Sequence, residues 1–173
     1  MNSGGIDVSK GRSTVAVMRP FGEVVISPFE VRHTDSELSA LARLLKSLDG
    51  ETRVVMEATG NYHTPVAKIL HDARLYVSVV HAKLIHGYGN NDLRRVKTDR
   101  KDAVKLANYG LNRWLTLPKY FPEEDTRLLL KNCYRQYKQY SKVQTVLKNN
   151  LISLLDTVFP NVNRLFSGST TPL

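Results

Sequence analysis

Four acidic residues have the type and placement to do chemistry. Asp7 follows the apolar opening Gly5-Ile6, and Glu57 closes Arg53-Val54-Val55-Met56. Both stretches read as strands, and α/β sheets place functional groups at strand ends where the strand order changes. Asp99 and Asp102 are spaced i, i+3, which on a helix projects both carboxylates from one face within about 5–6 Å. Hard divalent cations such as Mg²⁺ take oxygen ligands of this kind. A group of carboxylates would repel strongly without cations, and two ions about 3.5–4 Å apart can activate the attacking oxygen and stabilise the leaving oxygen of a phosphodiester. Taken singly, each acid also has a structural explanation. Asp7 could shape a strand-to-turn junction, Glu57 could be a solvated strand end, and Asp99 with Asp102 fits a capping box, the first as N-cap and the second at N3. The joint pattern favours a metal-dependent site.

The elements that would position these acids follow from hydrophobic periodicity. Gly5 to Ser9, Arg12 to Met18 and Glu23 to Val31 predict three antiparallel strands, punctuated by Pro20 and Gly22. Asp35 is expected to cap a helix reaching Leu48, with Leu38, Leu41, Leu44, Leu45 and Leu48 as its buried stripe. Arg53 to Glu57 is apolar in the manner of a central parallel strand. A helix from near Pro65 to Ala73, a strand from Leu75 to Val80, a polar connection and a helix from Asp99 to Leu111 complete the order. The expected fold class is α/β, a mixed sheet of about five strands flanked by helices. After Pro118 and Pro122 the pattern becomes one long helix, about 123–158. Leu129, Cys133, Tyr140, Val143, Leu147, Leu151, Leu154 and Val158 share one of its faces, with Cys133 expected to be packed. Lys131, Arg135, Lys138 and Lys142 lie opposite, on a basic stripe that could meet phosphate or simply be solvated. The expected organisation is residues 1–120 as one domain, 121–160 as a helical arm and 161–173 as a tail.

Composition bounds the function. The 173 residues hold 10 Gly and 7 Pro with 42% hydrophobic and 24% charged residues, which excludes collagenous and disordered classes. No apolar run approaches the roughly 18 residues needed to span a bilayer, and one cysteine cannot form an internal disulfide, so a cytoplasmic protein with no membrane partner is expected. Lys and Arg number 25 against 16 Asp and Glu, a net charge of +9, which favours polyanionic partners through counterion release. Between His81 and Lys105 there are 7 basic and 3 acidic side chains, a net +4 around two of the four acids. His33, His63, His71, His81 and His86 show no metal-ligand spacing, and His81 and His86 read as surface or RNA-contacting groups. A sugar-kinase or actin-like ATPase reading lacks its Gly-rich phosphate loops, since Val8-Ser9-Lys10-Gly11 carries one glycine.

Three motifs in order carry a family resemblance: Gly5-Ile6-Asp7-Val8-Ser9-Lys10, Met56-Glu57-Ala58-Thr59-Gly60-Asn61-Tyr62 and Lys97-Thr98-Asp99-Arg100-Lys101-Asp102-Ala103. Together they resemble the N-terminal part of the insertion sequence 110 family, the DEDD transposases related to the Piv invertases. The resemblance covers nearly the whole chain. It implies a RuvC-like, RNase H-type domain followed by a coiled-coil segment. It further implies that Asp7, Glu57, Asp99 and Asp102 are the catalytic quartet, holding two Mg²⁺ ions (or Mn²⁺) at the DNA strand being cut. Characterised relatives are recombinases guided by a structured bridge RNA. The implied partners are therefore DNA, such an RNA, and a second copy of the chain through the arm. A protein guided in this way need read little base sequence, and contacts to the nucleic-acid backbone suffice. The expected contacts are Lys10, Lys83, Arg94, Arg95, Lys97, Arg100, Lys101 and Lys105 near the site, with Lys131, Arg135, Lys138 and Lys142 on the arm. Full-length members also carry a C-terminal domain with a serine nucleophile, so the chain reads as an N-terminal half, a fragment or truncated product. A non-catalytic nucleic-acid-binding and dimerisation module is the alternative.

Overall fold

The computed structural model describes residues 1–58, 60–88 and 98–159. The expected tail, Thr59, Arg94, Arg95 and Lys97 lie outside them. The chain separates into two compact units, Met1–Pro122 and Glu123–Leu173.

The first unit is a five-stranded mixed sheet in the order β3-β2-β1-β4-β5. The strands are β1 (Asn2–Ser9), β2 (Arg12–Met18), β3 (Val24–Arg32), β4 (Thr52–Glu57) and β5 (Tyr76–Val80). Consecutive pairs β1–β2 and β2–β3 are antiparallel, whereas β1–β4 and β4–β5 are parallel. This is the RNase H-like arrangement that the motifs imply. The helices are α1 (Asp35–Lys46), α2 (His63–Asp72), α3 (Ala82–Gly87) and α4 (Asp99–Asn112). Among the described residues, no helix is long and apolar enough to cross a membrane.

Alternation along the strands divides the core. Ile6, Val8, Val54 and Met56 face one layer, where Leu38, Leu41 and Leu45 of α1 and Val66 and Leu70 of α2 bury them. On the opposite face, Val55 packs with Leu106 and Tyr109 of α4, Ile85 of α3 and Leu117. The small residues Ser3 and Gly5 point to that second face, and α4 lies close against them. Gly110 sits over Ser3, while Ala103 and Ala107 sit over Gly5. The helix therefore runs antiparallel to β1 and brings its N-terminus toward Asp7. Beyond α4 the chain covers the β5 side of the sheet: Tyr120 N donates to Val77 O at 2.8 Å, and Tyr76 OH donates to Leu117 O at 2.7 Å.

Several expected boundaries shift for identifiable reasons. Thr34, not Asp35, caps α1: its backbone is extended and its hydroxyl accepts from Glu37 N at 3.4 Å, while Glu37 accepts from Arg32 N. Leu44 is exposed, so only part of the leucine stripe faces the core. The connection after β5 contains α3, a short helix that the polar composition concealed.

The second unit contains α5, Asp125–Val158, a 34-residue helix of about 51 Å at 1.5 Å per residue. Leu129, Tyr140, Val143, Leu147, Leu151, Leu154 and Val158 are exposed along it. Cys133, expected to be packed, is exposed as well.

Candidate functional site

Parallel register places the first two acids side by side. Ile6 pairs with Met56 at the end of the β1–β4 ladder, and Asp7 and Glu57 each follow directly. Both side chains therefore leave the sheet on the face that α4 covers. Asp99 and Asp102 belong to the first turn of α4, where the helix dipole favours negative charge. A capping box does not account for them. Thr98 is the N-cap, with extended backbone (φ −140°, ψ 140°), and its hydroxyl accepts from Lys101 N at 3.4 Å. Asp99 is accordingly the first helical residue and Asp102 the fourth, one step beyond the box position.

All four acids line one cleft of about 270 Å³, together with Ser9, Ile85, His86, Lys105 and Leu106. Asp7, Glu57 and Asp102 are half-buried and Asp99 is exposed. The donors are oxygen-only carboxylates, the set that Mg²⁺ or Mn²⁺ prefers. The side chains line the cleft without converging: among the described residues, no three His, Cys, Asp or Glu are gathered closely enough to hold one ion. Lys105 brings a positive charge to the same wall.

Two further groups were not foreseen as part of this wall. His86 and Ile85 reach it from α3, the element that the sequence pattern hid. Their only signal was position, since both follow the strand end at Val80 by a single short turn of chain. His81, in contrast, acts structurally as the N-cap of α3, its Nδ1 accepting from Lys83 N at 3.2 Å.

The described basic residues divide into two sets. Lys10, Lys83, Arg100 and Lys101 are exposed on unit 1, on the β1–β2 turn, α3 and α4, and Lys105 is half-buried. Lys131, Arg135, Lys138 and Lys142 are exposed on α5. Lys131 is bonded to Glu123, and that hydrogen bond holds the Glu123 carboxyl below its ordinary range. The Lys138 ammonium stands 5.5 Å from the centre of the Tyr134 ring.

Comparison with known proteins places this geometry in context. A family model described as a transposase, of the DEDD type of insertion sequence 110, matches residues 4–160. The pilin gene-inverting proteins of Moraxella bovis and Moraxella lacunata are each 30% identical over 89 residues. Those alignments take in 51% of this chain and 27% of each relative, so the chain spans about a quarter of the length of the curated relatives it matches. Among solved structures, Thermus thermophilus RuvC in complex with Holliday junction substrate superposes with a TM-score of 0.48 at 12% identity, over 69% of this chain and 99% of that one. A second Thermus thermophilus RuvC structure gives 0.44 at 15%, over 69% of this chain and 100% of that one.

Proposed function

The chain belongs to the DEDD transposase family of insertion sequence 110, and we propose that its first unit is the metal-dependent domain that cuts and exchanges DNA strands, directed by a structured guide RNA. The observation that carries this reading is the single cleft lined by Asp7, Glu57, Asp99 and Asp102 from two adjacent strands and one helix. In this reading the four carboxylates would hold Mg²⁺ or Mn²⁺, two ions as the family resemblance implies. Bound there, the cation supplies Lewis-acid activation of the attacking oxygen and charge stabilisation of the leaving oxygen.

The protein's own groups have distinct tasks. The strand ends fix Asp7 and Glu57 on a rigid sheet, so only the α4 pair has to adjust for the ligands to close on an ion. Arg100 and Lys101 meet phosphates beside the cleft, while Lys10 and Lys83 extend the contact along the backbone of the nucleic acid. Lys105, inside the wall, offsets carboxylate charge until a cation arrives and can then turn to a phosphate. The RNA supplies the sequence information, so these contacts need only orient the strand. The arm contributes a second copy of the chain through its apolar face and RNA contacts through Lys131, Arg135, Lys138 and Lys142.

A second reading, a nucleic-acid-binding and dimerisation module without catalysis, is favoured by one observation: the carboxylates do not converge as they stand. Calorimetric titration of Mn²⁺ into the protein separates the two. Saturable binding that disappears in Asp7→Asn and in Asp102→Asn supports the metal site. Heats that are the same in the parent and both variants reject it and leave the binding module.

A further inference from the structure

The β2–β3 connection presents an aromatic ring in an uncommon way. Phe21 is fully exposed, and its backbone lies in the left-handed region at φ 63°, ψ 20°. L-residues with bulky side chains rarely adopt that backbone, and burial of the ring offsets none of the strain. The turn is nevertheless firmly built. Pro20 fixes the preceding φ, Gly22 follows at φ 79°, and Arg19 N donates to Glu23 O at 2.8 Å. Arg19 Nε also donates to Asn2 Oδ1 at 2.8 Å, tying the turn to the start of β1. A strained, exposed ring on an anchored turn is pre-organised for contact with something outside the chain.

Its neighbours indicate what that is. Phe21 lines a groove of about 1100 Å³ with Tyr88, Arg100, Lys101, Asp102 and Lys105. Three cations against one acid favour a polyanion, and a basic track beside an aromatic ring is the combination that holds unpaired nucleotides. Asp102 and Lys105 also line the carboxylate cleft, so groove and cleft share a wall. A strand lying in the groove would pass directly beside the proposed cutting site.

We propose that this groove is a rest for a single-stranded nucleic acid, with Phe21 stacking on an unpaired base while Arg100, Lys101 and Lys105 hold the flanking phosphates. The proposal rests on the nucleic-acid reading above and adds the class of ligand, unpaired and base-bearing, and the residue that selects it.

The test is fluorescence anisotropy of the protein with two labelled single-stranded oligonucleotides of equal length, one ordinary and one abasic at its central positions. Phe21→Ala should weaken binding of the ordinary strand about tenfold, leave the abasic strand unaffected and keep the salt slope. Phe21→Trp should restore the parent affinity. Phe21→Gly should bind as weakly as Phe21→Ala yet melt at a higher temperature than the parent, because glycine accepts the left-handed backbone. Lys101→Gln combined with Lys105→Gln should instead flatten the plot of log affinity against log salt by about 1.4, roughly 0.7 per phosphate contact on single strands. If the parent binds the ordinary strand and Phe21→Ala binds it equally well, the stacking role is overturned and the nucleic-acid reading stands. If the parent shows no salt-dependent binding to either strand, both fall.

Discussion

Gly5 lies directly beneath the backbone of Ala103: a Cβ on Gly5 would stand 2.0 Å from the Ala103 carbonyl oxygen and 2.4 Å from the Ala107 nitrogen. That approach seats α4 on β1. Asp102 precedes Ala103 and Asp7 follows Gly5 by two residues, so the same contact decides whether the helix acids reach the strand acid. Because both obstructing atoms are backbone, Gly5→Ala must lift the helix rather than turn a side chain. We expect a loss of about 3 kcal/mol, the upper part of the usual overpacking range. It should appear as a lower urea midpoint at unchanged slope. Gly110→Ala meets the Ser3 hydroxyl and a Val55 methyl and gains up to about 1 kcal/mol of helix propensity, so its cost should be clearly smaller. Equal costs would mean that the close approach at Gly5 is not what seats the helix.

Stability should also respond to pH through His33. Its Nε2 lies 2.7 Å from the Oγ of buried Ser13, so a neutral ring accepts that hydroxyl's proton, and burial holds the imidazole below its ordinary value. The unfolded chain, with a His pKa of about 6.5, then binds more protons than the folded one. The contribution is therefore complete above the unfolded value and is lost as pH falls through the lower folded value. Thermal melts should show the melting temperature dropping as pH falls below about 6.5, with a shallower drop in His33→Asn, which keeps a partner for Ser13 without titrating there. Parallel pH profiles for the two proteins would remove His33 from the account.

Much of this was legible in the chain. The β-rich composition of residues 12–18 and the apolar run in 53–57 identify their strands because β-branched residues fit a pleated surface and a strand buried on both faces writes a continuous apolar stretch. Asp7 and Glu57 could be paired on paper because both stand where such runs end. Other features depend on geometry that a linear pattern does not encode. Thr34 and Thr98 displace the aspartates that follow them as caps because the chosen residue is the one left with extended backbone, set by where the preceding strand or connection delivers the chain. His86 joins the cleft only because α3 packs its Ile85 into one cluster with Val80 and Leu106. Neither the exposure of Phe21 nor its left-handed backbone is written in the string Arg19-Pro20-Phe21-Gly22.

Divalent cations should raise the melting temperature of the parent protein. A ligand that binds only the folded state stabilises by RT ln(1 + [L]/Kd), about 2.7 kcal/mol at one hundred times Kd. Asp102→Asn removes a donor and some of the mutual repulsion within the cleft. Its melting temperature without metal should therefore equal or exceed the parent's, while its rise with added Mg²⁺ or Mn²⁺ should vanish. This pairing of signs separates a ligand role from a merely structural one, which would lower the metal-free value. A variant that melts lower without metal and keeps the full cation response would count against the assignment.

The arm makes the last prediction. Leu129, Leu147 and Leu154 of α5 are 63%, 62% and 67% exposed, as though the helix stood alone in water. A long helix with its apolar face uncovered gains most of its stability from packing, so this face calls for a partner of the same length and pattern. A second copy of the chain meets both conditions. From Tyr140 to Val158 the apolar positions are separated by 3, 4, 4, 3 and 4 residues. The repeated four is a stutter that locally unwinds a left-handed supercoil. Leu147 and Leu154 are one heptad apart on this seam, and replacing both with Glu places like charges at the layers on either side of Leu151 in any symmetric pair. Sedimentation equilibrium should give a dimer for the parent and a monomer for the double variant, with ellipticity at 222 nm falling as the unpaired helix frays. Loss of self-association with helicity intact would show that α5 is stable unpaired. A dimer that persists in the double variant would move the interface off the arm.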